Sequence, residues 1–257
     1  MADSLPAPSR ETLQAAVVGM SVSPTCGVRA HAGLLAQALA HEDVSCSLHW
    51  LSRSESSLGV GRREVRAWTE GLVTDLRRER PDAVLLHYSI FAYSHRGIPI
   101  FVRPTLSALR RTGIPVVAFM HELAFPWRLR GWRGDVWALT HRTLLIEAMR
   151  RSSAAIVTTE GRAEWLASRR WLARRPVGFA PVFSNLPAPM TVSRRDRGRP
   201  RIGLFGYSYD EQTISLVLEA IALVRRGGVD VELALLGAPG RSSALAETWL
   251  RLAAGHE

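Results

Sequence analysis

The stretch VVAFMHELAFP, Val116 to Pro126, places His121 and Glu122 at the end of a short apolar run. An adjacent imidazole and carboxylate can exchange protons with a substrate or hydrogen-bond a sugar. The alternative is a histidine satisfied by a neighbouring backbone group. His87 closes the run that begins at Ala83 in the same way, so the two histidines can flank one crevice. Upstream, SPTCGVRAH joins an apolar run to a helix-period stretch. Gly27 at that helix start lets backbone N–H groups approach an anion, and the helix dipole favours one there. Arg29 and His31 add donors. An ordinary turn fits the same loop. FGYSYDE, Phe205 to Glu211, makes the same passage later in the chain, with Gly206 and then Tyr207 offered to a phosphate.

Several familiar chemistries are missing from the sequence. It contains no GxGxxG fingerprint, GxSxG elbow, HExxH, EF-hand loop or DxD triplet. The two cysteines, Cys26 and Cys46, lack metal-ligand or disulfide spacing, and a reducing cytoplasm is the expected compartment. All 33 basic residues are Arg, so a Walker A lysine and a Schiff-base lysine are both excluded. Codon bias explains so many arginines. Recognition of phosphate or carboxylate is the functional alternative. The net charge is +10. No apolar run has the roughly 18 residues a membrane helix needs.

The elements that must hold these residues follow from periodicity. Apolar runs at Ala15–Met20, Ala83–His87, Pro115–Met120, Ala154–Thr158 and Val177–Phe183 predict buried strands. Val44, Cys46, Leu48 and Trp50 alternate with polar residues and predict a strand with one buried face. Helices are predicted over Gly27–Ala40, Arg62–Arg78, Pro104–Arg111, Asp135–Arg150 and Gly161–Ala173. In the last of these Trp165, Leu166 and Leu172 are expected to face the core, and Arg162, Arg169 and Arg170 the solvent. This alternation implies an α/β, Rossmann-like parallel sheet flanked by helices, whose ligands bind at the carboxyl ends of the strands. His121 stands at such an end.

The segment NLPAPMTVSRRDRGRPR changes composition and reads as a linker. After it, Ile202–Phe205, Glu211–Arg226, Val229–Leu236 and Ser242–Ala254 predict strand, helix, strand and helix. The expected organisation is a loose lead over 1–14, a first domain over 15–186, a linker over 187–200 and the beginning of a second Rossmann-like domain over 201–257. Two strands bury little sheet, so that second domain is expected to be incomplete.

In their order, these segments resemble the GT-B-fold glycosyltransferases of family 4, retaining enzymes that include phosphatidylinositol mannosyltransferases. CGVRAHAGLLAQAL resembles the family's first loop and helix, GIPVVAFMHE its histidine-bearing strand, and SSAAIVTTEGRAEWL a later strand and helix. PVFSNLP resembles the segment before its linker, and RIGLFGYSYDEQTISLVLEAIALVRRGGVDVELALLG the opening of its donor-binding domain. The resemblance implies that His121 contacts the donor sugar, that Gly27 lies near the donor phosphates and acceptor, and that Gly206 opens the second domain. It implies a nucleotide-sugar donor as substrate, no cofactor and no metal. The leaving diphosphate would be stabilised electrostatically.

Two departures bear on that implication. The family places an Arg and a Lys where Tyr207 to Glu211 stand here, and its E-x7-E motif would fall beyond Glu257. The chain is therefore expected to be truncated, with an impaired donor site.

The reading that follows is transfer of a hexose from a nucleotide sugar to a hydroxyl acceptor, with retention. The acceptor is a glycan, a lipid or a small molecule. His121 is the catalytic candidate. Gly27, Gly206 and Tyr207 bind the donor, and Arg29, His31, His87 and Glu122 bind substrate. The Trp/Arg stretch WRLRGWRGDVW offers peripheral contact with the inner membrane face. The alternative is a non-catalytic Rossmann-like module for a protein partner or an anionic surface. No helix-turn-helix or RNP pattern supports nucleic-acid binding.

Overall fold

The structure is a computed structural model that describes residues 12–22, 26–54, 57–172, 175–183, 199–205, 210–236 and 244–254. The chain divides into two compact units, Met1–Pro187 and Ala188–Glu257.

The first unit begins with β1 (Leu13–Ser21), α1 (Gly27–Ala40), β2 (Val44–Ser52), α2 (Leu58–Glu79), β3 (Ala83–Tyr88), α3 (Val102–Arg110) and β4 (Val116–Met120). It continues through a two-residue β5 (Leu129–Arg130), α4 (Gly131–Arg151), β6 (Ala154–Val157), α5 (Glu160–Ala167) and β7 (Val177–Phe179). Six strands form one parallel sheet in the order β2-β1-β3-β4-β6-β7. Parallel neighbours need long crossovers, and the helices supply them.

Burial on both faces explains the strand sequences. Ala16 to Ser21 of β1 are all buried, which is why β1 reads as a continuous apolar run. Ala16, Val18 and Met20 point into the larger core with Leu72 and Leu76 of α2, Leu106 and Leu109 of α3, and Leu145 of α4. Val17 points to the opposite face, where Ala32 of α1, Leu85 and Phe119 form a second cluster. The two-residue period of a strand separates the two sets. Local signals close the helices. Ser57 caps α2 by accepting from the Val60 N–H at 3.2 Å, and Arg80 ends it in the left-handed region.

Some boundaries differ from those the periodicity predicts. α5 stops at Ala167, where Ser168 takes the cap. Only Leu166 and Leu172 are buried, while Trp165 is 42% exposed. β7 ends at Phe179, because β6 offers partners only as far as Val157. β2 is the sheet edge, so its alternation buries no full face: Leu48 stays 46% exposed, while Cys46 and Trp50 pack on the second cluster.

The second unit holds β8 (Arg201–Phe205), α6 (Glu211–Arg226), β9 (Glu232–Leu236) and α7 (Ala244–Ala253). β8 and β9 pair in parallel. Asp210 caps α6 through the Thr213 N–H at 2.7 Å. Ile214, Ile221, Val231 and Trp249 are its buried apolar residues among those described. Arg199 pairs with Asp230, and Arg201 with Glu232 at 2.9 Å.

Candidate functional site

The sheet order reverses between β1 and β3. The chain leaves β1 through α1 to reach β2 on one side, then returns through α2 to place β3 on the other. Connections that diverge on either side of two neighbouring strands leave a crevice at their carboxyl ends, the usual ligand position of such sheets. A cleft of about 440 Å³ lies there. Its lining includes Ser21 at the end of β1, Cys26 and Gly27 opening α1, Ser89 after β3, and His121 after β4. A second hollow, about 650 Å³, shares Val22 and Phe91 with it and runs toward Ser57, His95 and Arg96.

Three histidines from three elements meet at the floor of the cleft. His31 comes from α1, His87 from β3 and His121 from the end of β4. His87 and Phe119 are partners in the β3–β4 register, so His121 stands just beyond the last pair, Tyr88 and Met120. His87 Nδ1 and His121 Nε2 are 3.0 Å apart, one donating and the other accepting. The His31 ring centroid is 5.7 Å from that of His87 and 5.4 Å from that of His121. Phe119 stacks on His87, and Phe183 covers His31.

Burial sets the charge state of this group. It pushes His87 down to about 3, helped by the neighbouring His121 and His31. It pushes His121 down to about 4, helped by His31, and it lowers His31 as well. All three imidazoles are therefore neutral near pH 7. Each offers one N–H and one lone pair. Neither ring nitrogen of His31 has a hydrogen-bond partner, and neither does Nε2 of His87.

The residues proposed from sequence fall into distinct places. His31 and His121 line the cleft, and His87 lies buried beside His121. Gly27 is the first residue of α1 and lines the cleft, and a Cβ there would meet nothing within 4 Å. Arg29 donates to Ser52 Oγ at 3.2 Å at the end of β2. Glu122 accepts from the Ile90 N–H at 3.1 Å and so ties the end of β4 to the segment after β3. Gly206 and Tyr207 lie outside the described residues.

Arg162 was expected in solvent. Instead its Nη1 donates to the His121 carbonyl at 2.7 Å and to Thr158 Oγ1 at 3.0 Å. Together with the His121 N–H, which donates to the Tyr88 carbonyl at 3.0 Å, this fixes the His121 backbone from both sides. The available signal was its place in the first turn of a helix that follows a buried strand. Arg53, also unforeseen, is buried at the end of β2, with Nη2 donating to the Ser94 carbonyl at 2.6 Å. It braces the segment that carries Phe91.

No protein-family model matches the chain, and no curated protein matches it. Solved structures do. One is the S. aureus MnaA–UDP complex, at 12% identity and a TM-score of 0.56, covering 93% of this chain and 65% of the other. A Listeria monocytogenes protein described as a UDP-N-acetylglucosamine 2-epimerase matches at 13% identity and 0.55, covering 94% and 67%. Glycyrrhiza uralensis UGT73P12, complexed with glycyrrhetinic acid 3-O-monoglucuronide, matches at 13% identity and 0.54, covering 95% and 68%. The present chain thus spans about two thirds of the length of these proteins. At this identity the likeness establishes the fold, a Rossmann-like α/β arrangement with a parallel sheet flanked by helices.

Proposed function

We propose that the chain belongs to a glycosyltransferase of the GT-B class, which moves a hexose from a nucleotide sugar to a hydroxyl acceptor with retention. The observation that carries the reading is the cleft at the β1–β3 reversal, which His121 and the first turn of α1 both line. In this reading the amide end of α1, from Gly27 onward, attracts the diphosphate, and it stabilises the charge that grows on the leaving group. His121 orients the sugar by a hydrogen bond from its neutral ring. The sequence resemblance assigns Gly206 and Tyr207 to donor binding as well. The larger hollow beside the cleft receives the acceptor. The fold likeness supports the reading, because one matching structure holds UDP and another holds a glucuronide. The finer assignment to family 4 rests on the sequence resemblance, and no metal is needed for these steps.

The same reading gives the Trp/Arg stretch a role. Trp132 is 73% exposed, with Trp127, Leu129 and Leu139 exposed nearby. Beside Arg128 and Arg133, this surface suits peripheral contact with an anionic membrane on the cytoplasmic side, where a lipid acceptor would be reached. Among the described residues no helix is long and apolar enough to cross a membrane. Flotation with anionic vesicles tests this part. Loss of flotation in Trp132→Ala supports it, and a chain that never floats removes it.

The central test is calorimetric titration with UDP, GDP and their sugars, using this chain and any form that continues past Glu257. The expected result is sugar-nucleotide binding that weakens in His121→Ala while bare nucleotide binding persists. No binding of any nucleotide by a folded chain overturns the transferase. It would leave a non-catalytic module as the better account.

A further inference from the structure

The three-histidine floor has more unmet polar valence than sugar contact requires. Three neutral imidazoles carry six ring nitrogens, and the single His87–His121 hydrogen bond uses two of them. Of the remaining four, three are buried without a partner: both nitrogens of His31 and Nε2 of His87. Each such orphan costs about 1–3 kcal/mol. One of them, a His31 nitrogen, belongs to a ring that stands edge-on to both His87 and His121, so a ligand shared by the three rings would give it a partner.

One nitrogen from each ring lies within 4.8 Å of the other two. Two imidazoles on one tetrahedral ion, at about 2.0–2.1 Å each, stand about 3.3 Å apart. The His87–His121 spacing of 3.0 Å is already close to that. His31 closes the remainder by moving its ring inward from the first turns of α1. Because His31 and His121 line the cleft, a fourth position opens into it, the arrangement of a zinc ion with three protein ligands and one exchangeable one. We propose that His31, His87 and His121 bind one divalent transition-metal ion of the zinc type at the floor of the cleft.

The chemistry of the donors selects the ion. Three imidazoles suit zinc, cobalt, nickel and copper, whereas magnesium and calcium require oxygen ligands. The outer nitrogens set the strength. Metal-bound histidines ordinarily hand their second N–H to a carbonyl or carboxylate, and losing such a partner weakens binding about 10–100-fold. His31 and His87 have no protein acceptor for theirs. The site is therefore weaker than a fully supported three-histidine zinc centre. The inference rests on the three rings alone and does not depend on the glycosyl-transfer reading.

The test is a titration of the full chain, first stripped with a chelator and kept free of nucleotide, with Co²⁺ followed by visible absorption. The expected result is one Co²⁺ per chain with the intense band of a four-coordinate ion. Zn²⁺ displaces it and Mg²⁺ does not. His31→Ala, His87→Ala and His121→Ala each weaken binding at least about tenfold. His41→Ala, at an exposed position after α1, leaves it unchanged. Circular dichroism reports whether each variant folds. If the buried His87 variant does not, His31→Gln and His121→Gln decide. A folded chain with no saturable uptake of Co²⁺ or Zn²⁺ overturns the site, as does uptake indifferent to the three substitutions. The first of these outcomes leaves the cluster to bound water or substrate.

Discussion

Glu122, a substrate-binding candidate, also carries a structural bond. Its carboxylate accepts from the Ile90 N–H, and Ile90 is buried, so no water replaces that acceptor. Glu122→Ala should therefore cost about 1–3 kcal/mol, read as a lower urea midpoint. Glu122→Gln keeps an accepting oxygen and should lose less than half as much. Equal losses would show that the bond contributes nothing. Gly19 makes a similar case within the sheet. It pairs with Trp50 across β1 and β2, and a Cβ at Gly19 would lie 2.2 Å from the Trp50 ring. Gly19→Ala must displace that ring, together with its hydrogen bond to Ser21 Oγ at 3.1 Å. The expected cost is about 1–3 kcal/mol, and an unchanged urea midpoint would show that the ring yields freely. His121 was legible because an apolar run ending in a polar residue marks a strand's carboxyl end. His87 was legible as its counterpart across one crevice, because it too closes an apolar run, but nothing along the chain showed that His31 joins them. That depends on which strands are neighbours, and periodicity does not specify order. Arg162 was hidden for a related reason: helical spacing placed it on a solvent face, while its length lets it reach back to the His121 carbonyl.

At the scale of elements, α4 holds Gly97, on the wall of the larger hollow, through His141. This imidazole is buried. Its Nδ1 accepts from the Phe125 N–H at 3.1 Å, and its Nε2 donates to the Gly97 carbonyl at 2.7 Å. Both bonds together require the neutral tautomer protonated on Nε2. A second proton on Nδ1 would face the Phe125 donor. Burial lowers His141 below the usual histidine value, Arg142 lowers it further, and only the Gly97 bond opposes them. Because the folded state disfavours the proton, its contribution to stability is complete above the unfolded value near 6.5, and it declines as pH falls below that. The urea midpoint of the wild type should thus approach that of His141→Gln as pH is lowered from about 7.5 to about 5. A gap that stays constant with pH would show that His141 does not titrate against folding. Gly97 adds a backbone constraint to the same joint. Its φ is +84°, and a Cβ would lie 2.2 Å from the Trp137 ring. Gly97→Ala combines strain with a clash, so its cost should exceed that of Gly19→Ala in the same urea series. The sheet and its crossovers were legible because buried parallel strands read as continuous apolar runs. The edges were not. β2 alternates as though half-buried, yet it has a neighbour on one side only, and α5 and β7 end where their partners do.

Across the whole molecule, the two units differ in how much structure each can support alone. Among the described residues the first unit has a six-stranded sheet, with core clusters on both its faces. The described residues of the second form one parallel pair, β8 and β9, and bury only Ile214, Ile221, Val231 and Trp249 among apolar side chains. In the same unit Phe205, Leu216, Leu223, Leu236 and Leu250 are exposed. A two-stranded sheet is marginal in water, and parallel pairing is the weaker kind per residue. Exposed apolar side chains on so small a body favour association. A fragment covering residues 1–187 should then unfold in one cooperative urea transition and retain Co²⁺ binding, because all three histidines lie within it. A fragment covering 188–257 should show no cooperative transition and should self-associate, as read by sedimentation. If the small fragment instead melts cooperatively as a monomer, its four buried side chains and its ion pairs suffice for a stable fold. If the large fragment fails to fold, the first unit draws on the second for stability, and the division into compact units is not a division into folding units.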